Sequence, residues 1–93
     1  MRVISQDGTM DFSYDSSWVS VYEGCINGRI YVRMQLCGYD DSVDVADYST
    51  KTKAIKAMEM LREAWINETV EFEDGIYHRN IIFQFPKDSE IEV

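Results

Sequence analysis

The sequence predicts an α+β fold, an antiparallel β-sheet built from hairpins with one face covered by a single long α-helix, and three observations carry that expectation. Tyr48 to Asn67 holds apolar residues at helical spacing. Asp7-Gly8 and Asn27-Gly28 each separate two strand-like runs. Ile81-Ile82-Phe83-Gln84-Phe85 is a last apolar run stopped by Pro86. A chain of 93 residues holds these elements in one domain, and Lys87 to Val93 forms a tail that is ordered only if Ile91 and Val93 dock on something.

The helix has the clearest signature. Ser49 or Thr50 can accept a hydrogen bond from the first free backbone N–H groups, so either serves as N-cap. Ala54, Ala57, Met58, Leu61, Ala64 and Trp65 recur at spacings of three and four and form one core-facing stripe, while Lys53, Lys56, Glu59 and Glu63 form the solvated face.

The first hairpin is read as strands at about 2 to 6 and 9 to 13, joined by a two-residue type I′ turn at Asp7-Gly8. Val3 then faces Phe12 and Ser5 faces Met10, which puts Val3, Met10 and Phe12 on the buried side. Trp18 to Leu36 is the central hairpin. With Asn27-Gly28 at its turn, Ile30, Val32, Met34 and Leu36 share the inner face with Val19, Val21 and Cys25. Glu23 falls opposite Val32 on that face. A buried charge there is costly, so either a bulge near Glu23 and Gly24 turns it outward or the register differs. The outer face carries Trp18, Tyr22, Tyr31 and Arg33, with Arg33 opposite Tyr22 in position for a cation–π contact. Val43 to Tyr48 is a further strand whose alternation leaves open which side is buried, and Glu68 to Gly75 is an acidic stretch with a turn at Asp74-Gly75.

Charge narrows the function classes. Seventeen acidic residues against nine Lys and Arg give a net charge of −8, which repels phosphate backbones and anionic lipid, so direct nucleic-acid binding is not expected. The chain has no apolar run of signal-peptide length at its start and nothing approaching the roughly 20 apolar residues of a membrane span, which predicts a cytoplasmic location without membrane contact. Cys25 and Cys37 match no zinc spacing and read as free thiols, too far apart along the hairpin to be bonded to each other.

The chemical inventory is thin. His78 is the one histidine, and no spacing sets it beside a nucleophile, so no catalytic residue, cofactor or metal site is assigned. Asp40, Asp41, Asp44 and Asp47 form an acidic run, and Glu68, Glu71, Glu73 and Asp74 a second; the first lacks the central Gly and closing Glu of a calcium loop. Such carboxylates can occupy a partner protein's basic nucleic-acid channel, or they can serve solubility and discourage edge pairing. Trp18, Tyr22, Tyr31 and Arg33 are residue types enriched at interfaces. Either a second copy covers that face in a homodimer, or the N-terminal hairpin or the tail folds over it.

Three segments, Met1-Arg2-Val3-Ile4-Ser5-Gln6-Asp7-Gly8, Tyr48-Ser49-Thr50 leading into Ala57-Met58-Glu59-Met60-Leu61-Arg62-Glu63, and Phe83-Gln84-Phe85-Pro86, resemble a group of short uncharacterised proteins of Gram-positive bacteria and their prophages or mobile elements. The resemblance covers both ends, whereas the middle, about Tyr14 to Asp47, varies among those proteins. It brings no activity and no functional residue. It implies a mobile-element setting, in which small acidic proteins often bind and block a host protein. The expectation is therefore a nonenzymatic interaction protein acting on a host protein, such as a defence nuclease in the manner of an anti-CRISPR protein. The alternative is a homodimeric structural or regulatory protein without nucleic-acid mimicry.

Overall fold

The computed structural model describes residues 1–24, 27–38, 41–72, 75–78 and 82–92. The strands are β1 (Arg2–Ile4), β2 (Asp11–Ser13), β3 (Ser17–Glu23), β4 (Ile30–Leu36), β5 (Ser42–Tyr48), β6 (Thr69–Phe72), β7 (Gly75–His78) and β8 (Ile82–Gln84), and the helix α1 spans Lys51–Glu68. The fold is α+β, with α1 packed on the strands. The strands divide into a sheet ordered β2-β1-β8, a sheet ordered β3-β4-β5 and the hairpin β6-β7. Among the described residues every pairing is antiparallel except that of β1 with β8, a parallel pair of the kind that needs a long connection between its strands.

The first hairpin has the expected register, Val3 opposite Phe12, and a different turn. A type I′ turn needs positive φ at both central residues. Here Gly8 has it (φ 77°) and Asp7 does not. The turn is wider, closed by the Gly8 N–H donating to the Ser5 carbonyl (2.9 Å) and the Ser5 N–H to the Met10 carbonyl (2.9 Å). The Asp7 carboxylate accepts from the Ser5 and Thr9 hydroxyls and from the Thr9 N–H, and these bonds hold its pKa down at about 2.

The central hairpin corrects the expected register by two residues. Val21 lies opposite Val32, Tyr22 opposite Tyr31 and Glu23 opposite Ile30, with the Gly24 N–H donating to the Arg29 carbonyl (2.8 Å). Asn27 has no positive φ; its side-chain carbonyl accepts from the Arg29 N–H, and its amide donates to the Tyr31 hydroxyl. This fixes a wider loop than a two-residue turn. A shift of two keeps every side chain on its face, so the inner and outer faces are as expected. Glu23 reaches the exposed end of the strand, which removes the conflict with Val32. Cys25 lies outside the described residues, and Cys37 is an exposed free thiol.

The core forms between α1 and both three-stranded sheets: Val3, Ile30, Val32, Met34, Val45, Ala46, Tyr48, Ala54, Ala57, Leu61, Phe85 and Ile91 make one buried cluster. Thr50 is the N-cap, its hydroxyl accepting the Lys53 N–H at 3.2 Å. Ser49 donates its N–H and hydroxyl to the Asp88 carboxylate instead, and Lys53, expected on the solvated face, reaches back to the Asp88 carbonyl and carboxylate. Trp65 is half-buried against Tyr14, ring centroids 5.1 Å apart, rather than fully buried. Of the tail, Ile91 is buried and a 3-10 turn spans Asp88–Glu90, while Val93, the other residue expected to dock, lies outside the described residues. Of the acidic stretch, Glu68 ends α1, Thr69–Phe72 forms β6, and Gly75, expected in a turn, belongs to β7 opposite Phe72; Glu73 and Asp74 lie outside the described residues. His78 sits in β7 opposite Thr69 rather than in a loop. Ile81 lies outside the described residues.

Leu61 is the largest apolar side chain that α1 buries completely enough to leave a cavity on truncation. Leu61→Ala is expected to lower stability by about 2 to 5 kcal/mol. Denaturant unfolding measures it, and an unchanged midpoint would contradict the packing of the stripe.

Candidate functional site

The outer face of the β3-β4-β5 sheet gathers most of the residues that the sequence singled out. Strand alternation puts Trp18, Ser20 and Tyr22 of β3 on that face, and the register sets Tyr22 beside Tyr31 and Ser20 beside Arg33. The Tyr22 and Tyr31 rings stack at 5.3 Å with a 20° tilt, and the Arg33 guanidinium lies 4.1 Å from the Tyr22 ring centroid. The cation–π contact is present, made diagonally rather than across a direct pair.

Asp44 and Asp47 reach the same face through a bulge. They are three residues apart, so a regular strand would send them to opposite sides. The β4–β5 register slips between Val32 and Arg33, pairing Val32 with Ala46 and Arg33 with Asp44 and leaving Val45 as the extra residue. Val45 and Ala46 are consequently both buried, and Asp44 and Asp47 both point outward. The Tyr22 hydroxyl donates to Asp44 Oδ2 at 2.7 Å, and Arg33 Nε lies 3.5 Å from Asp44 Oδ1, an ion pair without hydrogen-bond alignment. Arg29 Nε donates to Asp47 Oδ2 at 3.2 Å. The accepting Asp44 carboxylate favours the protonated phenol and raises the Tyr22 pKa above the ordinary tyrosine value.

This arrangement separates the acidic run. Asp44 and Asp47 are compensated by Arg33 and Arg29, Asp41 is exposed ahead of β5, and Asp40 lies outside the described residues. Of the second run, Glu73 and Asp74 are outside the described residues. Trp18 stands at the opposite end of the face from Tyr31, 70 % exposed and opposite Gln35. Neither expected cover lies over this face among the described residues: the first hairpin joins the β5 side through Gln6, and the tail docks at Tyr48 and Ser49. Arg29 and Gly24 are the residues that sequence reasoning missed. Arg29 alternates with Tyr31 and Arg33, a signal that places it on this face. Gly24 shows itself only in space: a Cβ there would stand 2.7 Å from the Tyr31 ring and 2.9 Å from Asn27 Oδ1, so any side chain would displace the stack.

Two clefts border β3. One, lined by Val21, Glu23, Ile30, Ser49, Thr50 and Lys51, lies at the start of α1, and the other, lined by Tyr14, Ser17, Val19, Met58, Leu61 and Arg62, runs between β3 and α1. Among the described residues no group of three or more His, Cys, Asp or Glu is placed to hold a metal ion, and no helix is long and apolar enough to cross a membrane. No family model matches the sequence, and searches of curated proteins and of solved structures return no match.

The Tyr22–Asp44 bond predicts a titration difference. Asp44→Asn removes the carboxylate that favours the neutral phenol, so part of the tyrosinate absorbance is expected to develop at lower pH than in the unchanged protein. Superimposable titration curves would mean that the bond is not formed in solution.

Proposed function

We propose that this chain is a nonenzymatic protein-binding module, working in the cytoplasm for a phage or mobile element, that engages a host protein through the outer face of β3-β4-β5. The observation that carries this reading is a sheet face, uncovered among the described residues, that bears an exposed Trp18, a stacked Tyr22–Tyr31 pair and a guanidinium packed on it. Tyr, Trp and Arg dominate interface energetics because they bury large areas at low entropic cost and retain a polar end for a directional contact. The stack is held in place before binding by Asn27 on Tyr31 and by Asp44 on Tyr22, so less ordering is needed when a partner arrives.

The same geometry weighs against carboxylates as the principal recognition element. A phosphate mimic needs unpaired negative charge along an edge, and Asp44 and Asp47 each have an arginine partner. Net charge then acts at long range, speeding encounter with a basic partner and keeping nucleic acid away. Binding to a defence nuclease remains within this reading, through its protein surface rather than by imitation of its substrate.

Affinity capture from a lysate of a Gram-positive host, followed by quantitation with Trp18→Ala and Tyr31→Ala, tests the proposal. Each variant is expected to weaken the captured partner by about tenfold or more, as interface aromatics do, and the complex should persist from about 0.15 to about 0.5 M salt. A partner that tolerates both variants and is released by salt would reject the aromatic face and return recognition to the acids. Tight binding of the pure protein to double-stranded DNA would reject the reading altogether.

A further inference from the structure

We infer that β3 is a self-pairing edge, through which two copies of this chain join their β3-β4-β5 sheets antiparallel into one six-stranded sheet. The inference goes beyond the partner reading and does not rest on it. Its basis is the state of the β3 backbone. The Gly24 N–H donates to the Arg29 carbonyl, and the Cys37 N–H to the Ser16 carbonyl. Antiparallel pairs alternate, so the even residues Trp18, Ser20 and Tyr22 direct their N–H and C=O groups at β4, and Ser17, Val19, Val21 and Glu23 direct theirs away from it. Among the described residues no strand pairs with that outward row, of which the Ser17 N–H alone is given to the Tyr14 carbonyl. Exposed edges are normally blunted by Lys, Pro, bulges or brevity. Ser17–Glu23 has seven residues, no Lys, no Pro and an uninterrupted register with β4.

The occupant that fits is a second copy. An antiparallel pairing of a strand with itself is two-fold symmetric, so one surface completes the other and growth stops at two. Centred on Ser20, the pairing runs the length of the strand: Val19 exchanges hydrogen bonds with Val21 of the copy, the Ser17 carbonyl accepts from the Glu23 N–H while the Ser17 N–H stays with the Tyr14 carbonyl, and Ser20 meets Ser20 at the axis. Trp18 then lies directly across from Tyr22 of the copy on the outer face, in a non-hydrogen-bonded pair where side chains approach most closely. This would bury the most exposed large apolar side chain among the described residues. The one charge of the strand, Glu23, meets a serine. Registers shifted by two residues lose pairs at the strand ends and separate Trp18 from Tyr22.

Space and area agree. Three strand spacings separate β4 from its copy, ~14 Å; α1 packs on β3, β4 and β5, so a helix centred over β4 clears its copy by more than the ~8–10 Å of packed helices. The groove of about 290 Å³ beside Val19, Met58 and Leu61 opens on this edge and can receive side chains of the copy. An interface strip ~23 Å long and two layers, ~20 Å, deep gives ~460 Å² per copy before side-chain relief, near the ~1,000 Å² total at which specific interfaces begin. The dimer is therefore reversible. Because each chain carries −8, repulsion opposes it at low ionic strength.

Sedimentation velocity of the full chain across a concentration series tests this. The expected result is a monomer–dimer equilibrium whose dimer fraction grows with salt, the reverse of an acidic–basic complex. Ser20→Lys sets two like charges at the axis on an exposed position and should weaken dimerisation about tenfold while leaving the monomer's thermal unfolding unchanged. S20C thiols should couple across the axis on mild oxidation, located by peptide mapping. A chain monomeric at every concentration, or a dimer indifferent to Ser20→Lys whose S20C thiols do not couple, overturns the inference. Tyr31 lies one strand in from the edge, so Tyr31-dependent partner capture reads the host-protein proposal separately.

Discussion

The arrangement of both the core and the outer face depends on the bulge at Val45 and the side chain that occupies it. The extra residue breaks the β4–β5 ladder, and the first sheet is spliced in there: the Gln6 N–H donates to the Val45 carbonyl at 2.7 Å. The Gln6 side chain then completes the connection, its carbonyl accepting the Asp47 N–H and its amide donating to the Asp47 and Pro86 carbonyls. One residue thus bonds backbone groups from two distant segments, sharing the Pro86 carbonyl with the Tyr48 hydroxyl. The same slip turns Val45 and Ala46 both inward under α1 and turns Asp44 and Asp47 both outward beside the arginines. Without it, one of those aspartates would face the core.

Compensation of charge on the outer face follows from that slip and decides how the face behaves. Exposed ion pairs contribute only about 0 to 1 kcal/mol to stability, so Arg29–Asp47 and Arg33–Asp44 are not what holds the fold. Their effect is on shape. Asp44 fixes the Tyr22 hydroxyl, Arg33 lies over the Tyr22 ring, and Asn27 fixes the Tyr31 hydroxyl, which leaves the stacked pair few alternative rotamers. Burial does the corresponding work inside, where the Tyr48 phenol, its pKa pushed up by desolvation, donates to the Pro86 carbonyl and fastens the tail.

The features legible in the sequence are those that depend on period. Helical spacing located α1 and its stripe, and alternation assigned inner and outer residues of β3 and β4, an assignment that survived a register error because a shift of two preserves faces. Turn geometry was not legible. It is set by side-chain hydrogen bonds, Asp7 to Ser5 and Thr9 and Asn27 to Arg29 and Tyr31, that a dipeptide rule does not contain. The bulge was hidden for a related reason: Val43-Asp44-Val45-Ala46-Asp47-Tyr48 reads as simple alternation, and only packing under α1 selects which residue is extra. The aromatic half of the candidate site was therefore readable, and the place of the acids within it was not.

The scaffold and the candidate site occupy different parts of the chain. Val3 and Gln6, the run from Tyr48 through Leu61, and Phe85 to Ile91 supply much of the core, the splice at Val45, the helix cap and the docking of the tail. The face falls between the first two of these segments, in Trp18 to Asp47. Physically this is a division between residues whose substitution opens the core and residues that stand on a stable sheet and touch little beneath it. Trp18, Ser20 and Tyr22 alternate with Val19 and Val21, so every second position of β3 can change without repacking α1.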